Sequence, residues 1–154
     1  RLIIPATSES EIAASVERAL NQIRRGANVI LHSSLGPKDV RVAETLAAFR
    51  SLGFSDSEIR LHSGRTLGPK LGQILSRILK ECAFTRVAVA GGDTSGYVAR
   101  ELGITALEAI APVAPGSPLC RVHANNELNG IEIFFKGGQV GKDNVWETML
   151  KGTA

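Results

Sequence analysis

At 154 residues the chain has the length of one domain, long enough to bury a hydrophobic core. Its 44% apolar and 21% charged residues are those of a globular protein; no run is apolar enough to span a membrane, and no signal-peptide pattern opens it. With 5% aromatic residues and a scattered net charge of +3, it carries neither a base-stacking surface nor a basic nucleic-acid footprint. Local basic concentrations are confined to Arg24-Arg25 and the neighbourhood of Lys136 and Lys142. Cys82 and Cys120 lie far apart without a C-x-x-C spacing. They read as two buried, reduced thiols of a cytoplasmic protein, with a disulfide as the alternative. The chain opens on Arg1 with a strand-like Leu2-Ile3-Ile4 and reads as a piece of a longer polypeptide.

Residues 8–25 place Ile12, Ala13, Val16, Ala19, Leu20 and Ile23 at helical spacing. Thr7 or Ser8 can cap this helix, Glu11 completes a capping box for Ser8, and Gly26 stops it. Asn28-Val29-Ile30-Leu31-His32 predicts a buried strand that ends in Ser33-Ser34-Leu35-Gly36-Pro37. A second amphipathic helix is predicted over 39–52 (Val42, Leu46, Ala47, Phe49), stopped by Gly53. Ile59-Arg60-Leu61-His62 fits a short strand or a loop. A third helix over 68–82 carries the apolar stripe Leu71, Ile74, Leu75, Ile78 and Leu79.

Val87-Ala88-Val89-Ala90 then reads as a fully buried strand, breaking into Gly91-Gly92-Asp93-Thr94-Ser95-Gly96. A short helix follows from Tyr97 to the stop at Gly103. Residues 106–113 predict a strand leading to Pro115-Gly116-Ser117-Pro118. Residues 119–122 and 131–135 predict an antiparallel pair around the turn at 125–130, and residues 143–150 a closing helix.

Helices alternating with short β-rich runs predict an α/β fold: a layered α/β/α domain with a mostly parallel sheet and a C-terminal antiparallel hairpin at its edge. Ligands of such sheets sit outside the carboxyl ends of the strands. Three segments are expected on that rim: Ser33-Ser34-Leu35-Gly36, residues 91–96, and Lys136-Gly137-Gly138-Gln139-Val140-Gly141.

The turn at 91–96 carries the most chemistry. A strand that breaks on two glycines and restarts as a helix presents free N–H groups at a positive helix end, which suits phosphate. Glycine lets the backbone approach a ligand and adopt positive φ. The same pattern also fits an ordinary strand-to-helix turn with a good cap. Asp93, Thr94 and Ser95 can each cap the helix, and the Asp93 carboxylate can instead hold Mg²⁺ or order a water.

In series, Val-Ala-Gly-Gly-Asp-Thr-Ser-Gly at 89–96, Leu102-Gly103, Pro115-Gly116-Ser117-Pro118-Leu119-Cys120-Arg121 and Phe135-Lys136-Gly137-Gly138-Gln139-Val140-Gly141 resemble one family. This is the C-terminal nucleotide-binding domain of the four-carbon acid sugar kinases. The resemblance covers essentially the whole chain and is densest from Val87 onward. It implies one nucleotide-binding domain over 1–154, the C-terminal part of a two-domain kinase that uses ATP and Mg²⁺. Such a kinase phosphorylates a hydroxyl of threonate, erythronate or an oxo-tetronate, with the acid held mainly by the N-terminal domain. Carried onto matching positions, it implies Ser33 or Ser34 near the nucleotide, residues 91–95 as the phosphate turn, and Gly138, beside Gly137, in the pocket lining. Family members often read Lys-Ser-Gly-x-Phe-Gly in the last loop. This chain keeps the glycines but lacks that serine and phenylalanine, which leaves the substrate subfamily open.

Lys136 is either a charge near the phosphates or a solvated lysine after an edge strand, and Arg65 is a weak candidate contact to substrate or nucleotide. His32, His62 and His123 lack metal-ligand spacing and read as structural or surface groups. No residue recommends itself as the general base, so the fragment alone is expected to bind nucleotide and turn over little. A homo-oligomer is compatible with the chain. Two other readings stand beside the sugar-acid kinase. One is another kinase with a Gly-Gly-Asp turn; the other is a non-catalytic module that binds a phosphometabolite or a protein. The spacing at 91–96 is not the G-x-G-x-x-G of dinucleotide oxidoreductases.

Overall fold

The computed structural model describes residues 8–138 and 140–151. The expected strand at Leu2-Ile3-Ile4 and the loop residue Gln139 lie outside them. The elements run α1 (Glu9–Ile23), α2 (Val40–Ser51), α3 (Asp56–Glu81), β1 (Arg86–Ala90), α4 (Gly92–Glu101), β2 (Ile104–Ala114), β3 (Ser117–Ala124), β4 (Glu132–Lys136) and α5 (Val145–Lys151).

Helix α1 starts where the sequence places it. Ser8 Oγ accepts the Glu11 N–H at 3.3 Å, and the Glu11 carboxylate accepts the Ser8 N–H at 2.8 Å, closing the capping box. Its stripe Ile12, Val16, Ala19 and Leu20 packs against Ile74 and Ile78 of α3. Asp39 caps α2, whose buried contact is Phe49, packed on Ile59 and edge-on to Phe54 with ring centroids 5.5 Å apart.

Helix α3 overturns a sequence expectation. Ile59-Arg60-Leu61-His62 is neither strand nor loop but helix, and α3 runs 26 residues through Pro69. Its start is a second capping box, with Ser55 bonded reciprocally to Glu58. Pro69 removes one backbone donor and would ordinarily break a helix; here packing along one face holds the rod together. Gly64, Gly68 and Gly72, four residues apart, face Asp93, Tyr97 and Glu101 of α4. A Cβ on Gly68 would lie 2.5 Å from Tyr97 Cδ2, and one on Gly72 2.6 Å from Glu101 Cβ. The two helices approach that closely because α3 has no side chains along the seam.

Among the described residues the strands form one sheet in the order β1-β4-β3-β2. Only β1 and β4 pair in parallel; β4–β3 and β3–β2 are antiparallel, so the sheet is mixed rather than mostly parallel. The antiparallel pair around the 125–130 turn is not an edge appendage either, because β3 and β4 occupy the centre of the sheet. Residues 28–32 form no strand: Ile30 and Leu31 are exposed, and only Val29 packs inward, against the α1–α3 cluster. A short apolar run does not by itself identify a ladder partner.

Alternating side chains divide the core. Val87, Val89, Cys120, Val122 and Ile133 face Leu79, Val98 and Leu102 of α3 and α4. Leu119 and Phe134 face Val145 and Met149 of α5 on the opposite side. The closing helix starts at Val145, two residues later than expected. Arg86 fixes its far end, donating to the Met149 and Leu150 carbonyls at 2.7 and 2.8 Å while pairing with Glu132.

Candidate nucleotide site

Two of the three expected rim segments meet. β1 and β4 run in parallel with Ala90 opposite Lys136, and the Gly91 N–H donates to the Lys136 carbonyl at 3.0 Å. The glycine turn after β1 and the glycine loop after β4 therefore leave neighbouring strands at the same sheet end.

The turn is tighter than the sequence suggests. Helix α4 begins at Gly92 instead of Tyr97, so Asp93, Thr94 and Ser95 form its first turn. Gly91 is the N-cap with φ 115° and ψ 133°, a backbone state that L side chains rarely adopt. Asp93 does not cap the helix, because no side chain does. Its carboxylate is exposed at the second helical position and makes no hydrogen bond or ion pair among the described residues. Ser95 is committed to the turn itself, since its N–H and its hydroxyl both donate to the Gly91 carbonyl, at 3.0 and 2.6 Å. Thr94 Oγ1 lies beside Gly91, 3.3 Å from where a Cβ would stand. The N–H groups of Gly92, Asp93 and Thr94 belong to the first turn, where a helix has no internal acceptor for them.

The second loop is held by contacts that the sequence does not announce. The Gly137 N–H donates to Ser117 Oγ at 3.3 Å, and Ser117 is buried at the start of β3. The Lys136 ammonium folds back to donate to the Gly138 carbonyl at 2.9 Å and the Gly137 carbonyl at 3.4 Å. Lys136 is therefore neither a free solvated lysine nor on an edge strand; it braces its own loop. A Cβ on Gly138 would meet nothing within 4 Å, which leaves its outer side open.

Ser33 and Ser34 are half-buried in the irregular segment between α1 and α2, and among the described residues no hydrogen bond ties them to either glycine loop. Their neighbourhood is organised by Asp39, which accepts the Leu35 N–H at 2.7 Å and the Arg41 N–H at 2.9 Å. The Arg41 guanidinium, aided by those N–H groups, holds the Asp39 carboxyl far below the usual range. A cavity of about 240 Å³ lies under this segment, lined by Arg18, His32, Arg41 and Leu71.

A larger cleft of about 430 Å³ follows the α3–α4 seam and opens onto the phosphate-type turn, walled by Gly64, Arg65, Gly92, Asp93, Tyr97 and Arg100. The Arg100 guanidinium lies 5.6 Å from the centre of the Tyr97 ring. Sequence reading alone misses Tyr97, Arg100 and Ser117. The Gly64, Gly68, Gly72 spacing is legible in advance and would have signalled a close helix crossing. Both cysteines are free, Cys120 buried and Cys82 half-buried. Among the described residues no helix is long and apolar enough to cross a membrane, and no three His, Cys, Asp or Glu side chains gather as metal ligands.

Comparison with known proteins identifies the family and the fold. A family profile described as a nucleotide-binding C-terminal domain matches residues 1–145. The 3-oxo-isoapionate kinase of Paraburkholderia graminis is 41% identical over 99% of this chain and 33% of its own length. The D-threonate kinase of Salmonella typhimurium is 25% identical over 92% of this chain and 32% of its own. A crystal structure from Salmonella typhimurium LT2 superposes with a TM-score of 0.62 at 20% identity, over 96% of this chain and 32% of that one, which shows a shared fold. The chain thus spans about a third of the length of the curated relatives it matches. It belongs to the family of nucleotide-binding C-terminal domains of the four-carbon acid sugar kinases.

Proposed function

We propose that this chain is the ATP-binding domain of a two-domain kinase that phosphorylates a hydroxyl of a small sugar acid. The observation that carries the reading is the junction of two glycine turns at the ends of adjacent parallel strands, one of them opening α4 with its first N–H groups free. Phosphoryl transfer asks chiefly for positioning and charge stabilisation. The N–H groups of Gly92, Asp93 and Thr94 would hold phosphate oxygens, while Gly91 supplies the positive φ that aims them. Ser95 keeps the turn closed, and the Lys136 brace holds Gly137 and Gly138 where a nucleotide can lie against bare backbone. Ser33 or Ser34 would contact the nucleotide from the α1–α2 segment.

Mg²⁺ fits this donor set. The ion usually takes one or two carboxylates and completes its shell with phosphates and water, and Asp93 offers one exposed carboxylate beside the turn. Bound there, it would neutralise charge on the phosphate oxygens. The general base for the acceptor hydroxyl would come from the N-terminal domain, so this domain by itself binds nucleotide without turnover. The relatives named for 3-oxo-isoapionate and D-threonate support a small sugar acid as the acceptor.

The test is ADP release by the complete polypeptide with ATP and Mg²⁺ against threonate, erythronate, 3-oxo-tetronate and 3-oxo-isoapionate. Turnover of at least one acid supports the reading. Saturable ATP binding with no turnover on any sugar acid would reject the kinase assignment while leaving the nucleotide domain.

A further inference from the structure

The cleft along the α3–α4 seam contains a charge that the site described so far does not use. Five arginines of the described residues have an acidic partner: Arg41 with Asp39, Arg50 with Asp56, Arg77 with Glu9, Arg86 with Glu132, Arg121 with Glu108. Arg65 has none among the described residues, although Asp93 lines the same cleft. Arg100, farther along α4, is taken up by the Tyr97 ring. Arg65 follows Gly64, where α3 passes so near the turn that a Cβ on Gly64 would lie 3.8 Å from Asp93 Oδ2. The side chain is exposed and lines the cleft together with Gly92 and Asp93.

We infer that Arg65 binds the terminal phosphoryl group of the nucleotide held by the 91–94 turn; this rests on the nucleotide-domain reading above. The turn's N–H groups form one side of an anion site, and the guanidinium closes it from α3. A guanidinium suits this place because its planar fork meets two phosphate oxygens at once and its charge does not titrate. Transfer spreads charge over the oxygens of the moving group, so a fixed cation there acts most strongly in the transition state. The cleft's position explains why α3 and α4 need the close glycine seam: it brings an α3 cation within reach of an α4 N-terminus.

The experiment is calorimetric titration of the complete polypeptide with a non-hydrolysable ATP analogue and with ADP, each with Mg²⁺, for wild type, Arg65→Ala and Arg65→Lys. Loss of a charged hydrogen bond predicts that Arg65→Ala weakens the triphosphate by about 10- to 100-fold. ADP affinity should change by less than about threefold, and Arg65→Lys should recover part of the loss. Because Arg65 has no hydrogen-bond or ion-pair partner among the described residues, melting temperatures should agree. Equal triphosphate affinity in wild type and Arg65→Ala overturns the inference, as does an equal loss for ADP and ATP analogue. If wild type binds neither nucleotide, the nucleotide-domain reading itself fails and the inference with it.

Discussion

Gly68→Ala is the substitution that tests the α3–α4 seam most severely. The added Cβ would stand 2.5 Å from Tyr97 Cδ2, 2.6 Å from Tyr97 Cβ and 2.7 Å from Tyr97 Cγ. Carbon atoms in contact prefer about 3.5–4.0 Å. Rotating the tyrosine does not relieve the clash, because its Cβ moves only with the α4 backbone. The helices must therefore part by roughly an ångström. Overpacking of this kind costs about 1–3 kcal/mol, and a clash with a Cβ that only the backbone can move belongs in the upper half of that range. Alanine recovers about 1 kcal/mol through helix propensity. A net loss of about 1–2 kcal/mol follows, or a few degrees in melting temperature for a domain of this size.

Gly96→Ala is the matched control. It sits inside α4, and its Cβ would meet nothing within 4 Å. The same chemical change there should stabilise the protein by about 0.5–1 kcal/mol. Thermal and urea denaturation of both variants beside the wild type give the comparison. A Gly68→Ala protein as stable as wild type would refute the claim that these glycines exist to let the helices touch.

Three further outcomes are expected. Arg86→Met removes the pair with Glu132 and both bonds to the end of α5, and should cost about 1.5–3 kcal/mol in urea denaturation; adding Glu132→Gln should restore part of it. The Asp39 carboxyl, held low chiefly by Arg41, contributes stability that is fully present above its unfolded value near about pH 4 and lost as pH falls further. Wild-type stability should therefore drop more steeply below about pH 4 than that of Asp39→Asn, read as urea midpoints against pH. Burial raises the Cys120 thiol, so iodoacetamide should label half-buried Cys82 in the native protein and Cys120 only after denaturation, as mass spectrometry would show.

Local signals were legible where local chemistry decides the structure. The Ser8–Glu11 box and the apolar stripe of α1 act within a few residues, and each forms as expected. The Val87–Ala90 run found its ladder because both faces of β1 are covered by packed elements. Longer-range relations were not legible. Local pattern starts the third helix at Gly68 rather than Asp56, because Gly64 resembles a break until α4 packs against it. Val29-Ile30-Leu31 has a strand's composition, yet no partner strand takes it up among the described residues. The parallel pairing of β4 with β1 depends on contacts across more than forty residues, which local pattern does not encode. At the site, the two glycine turns were visible as motifs, but the helix start at Gly92 was hidden because Asp93 and Ser95 look like caps. Ser117 showed no sign of its role, since one serine after a Pro-Gly turn resembles any other.

The central claim is that nucleotide phosphates bind where the turn at 91–94 meets the loop at 137–138. Its most direct test is calorimetric titration of the complete polypeptide with an ATP analogue and Mg²⁺, beside the double variant Gly92→Val, Asp93→Ala. A Cβ at position 92 meets nothing within 4 Å, and the melting temperature of the variant checks that it stays folded. The account predicts saturable binding by the wild type and none, or at least about a tenfold loss, in the folded variant. Equal affinity in the two proteins would place the nucleotide elsewhere and contradict the account.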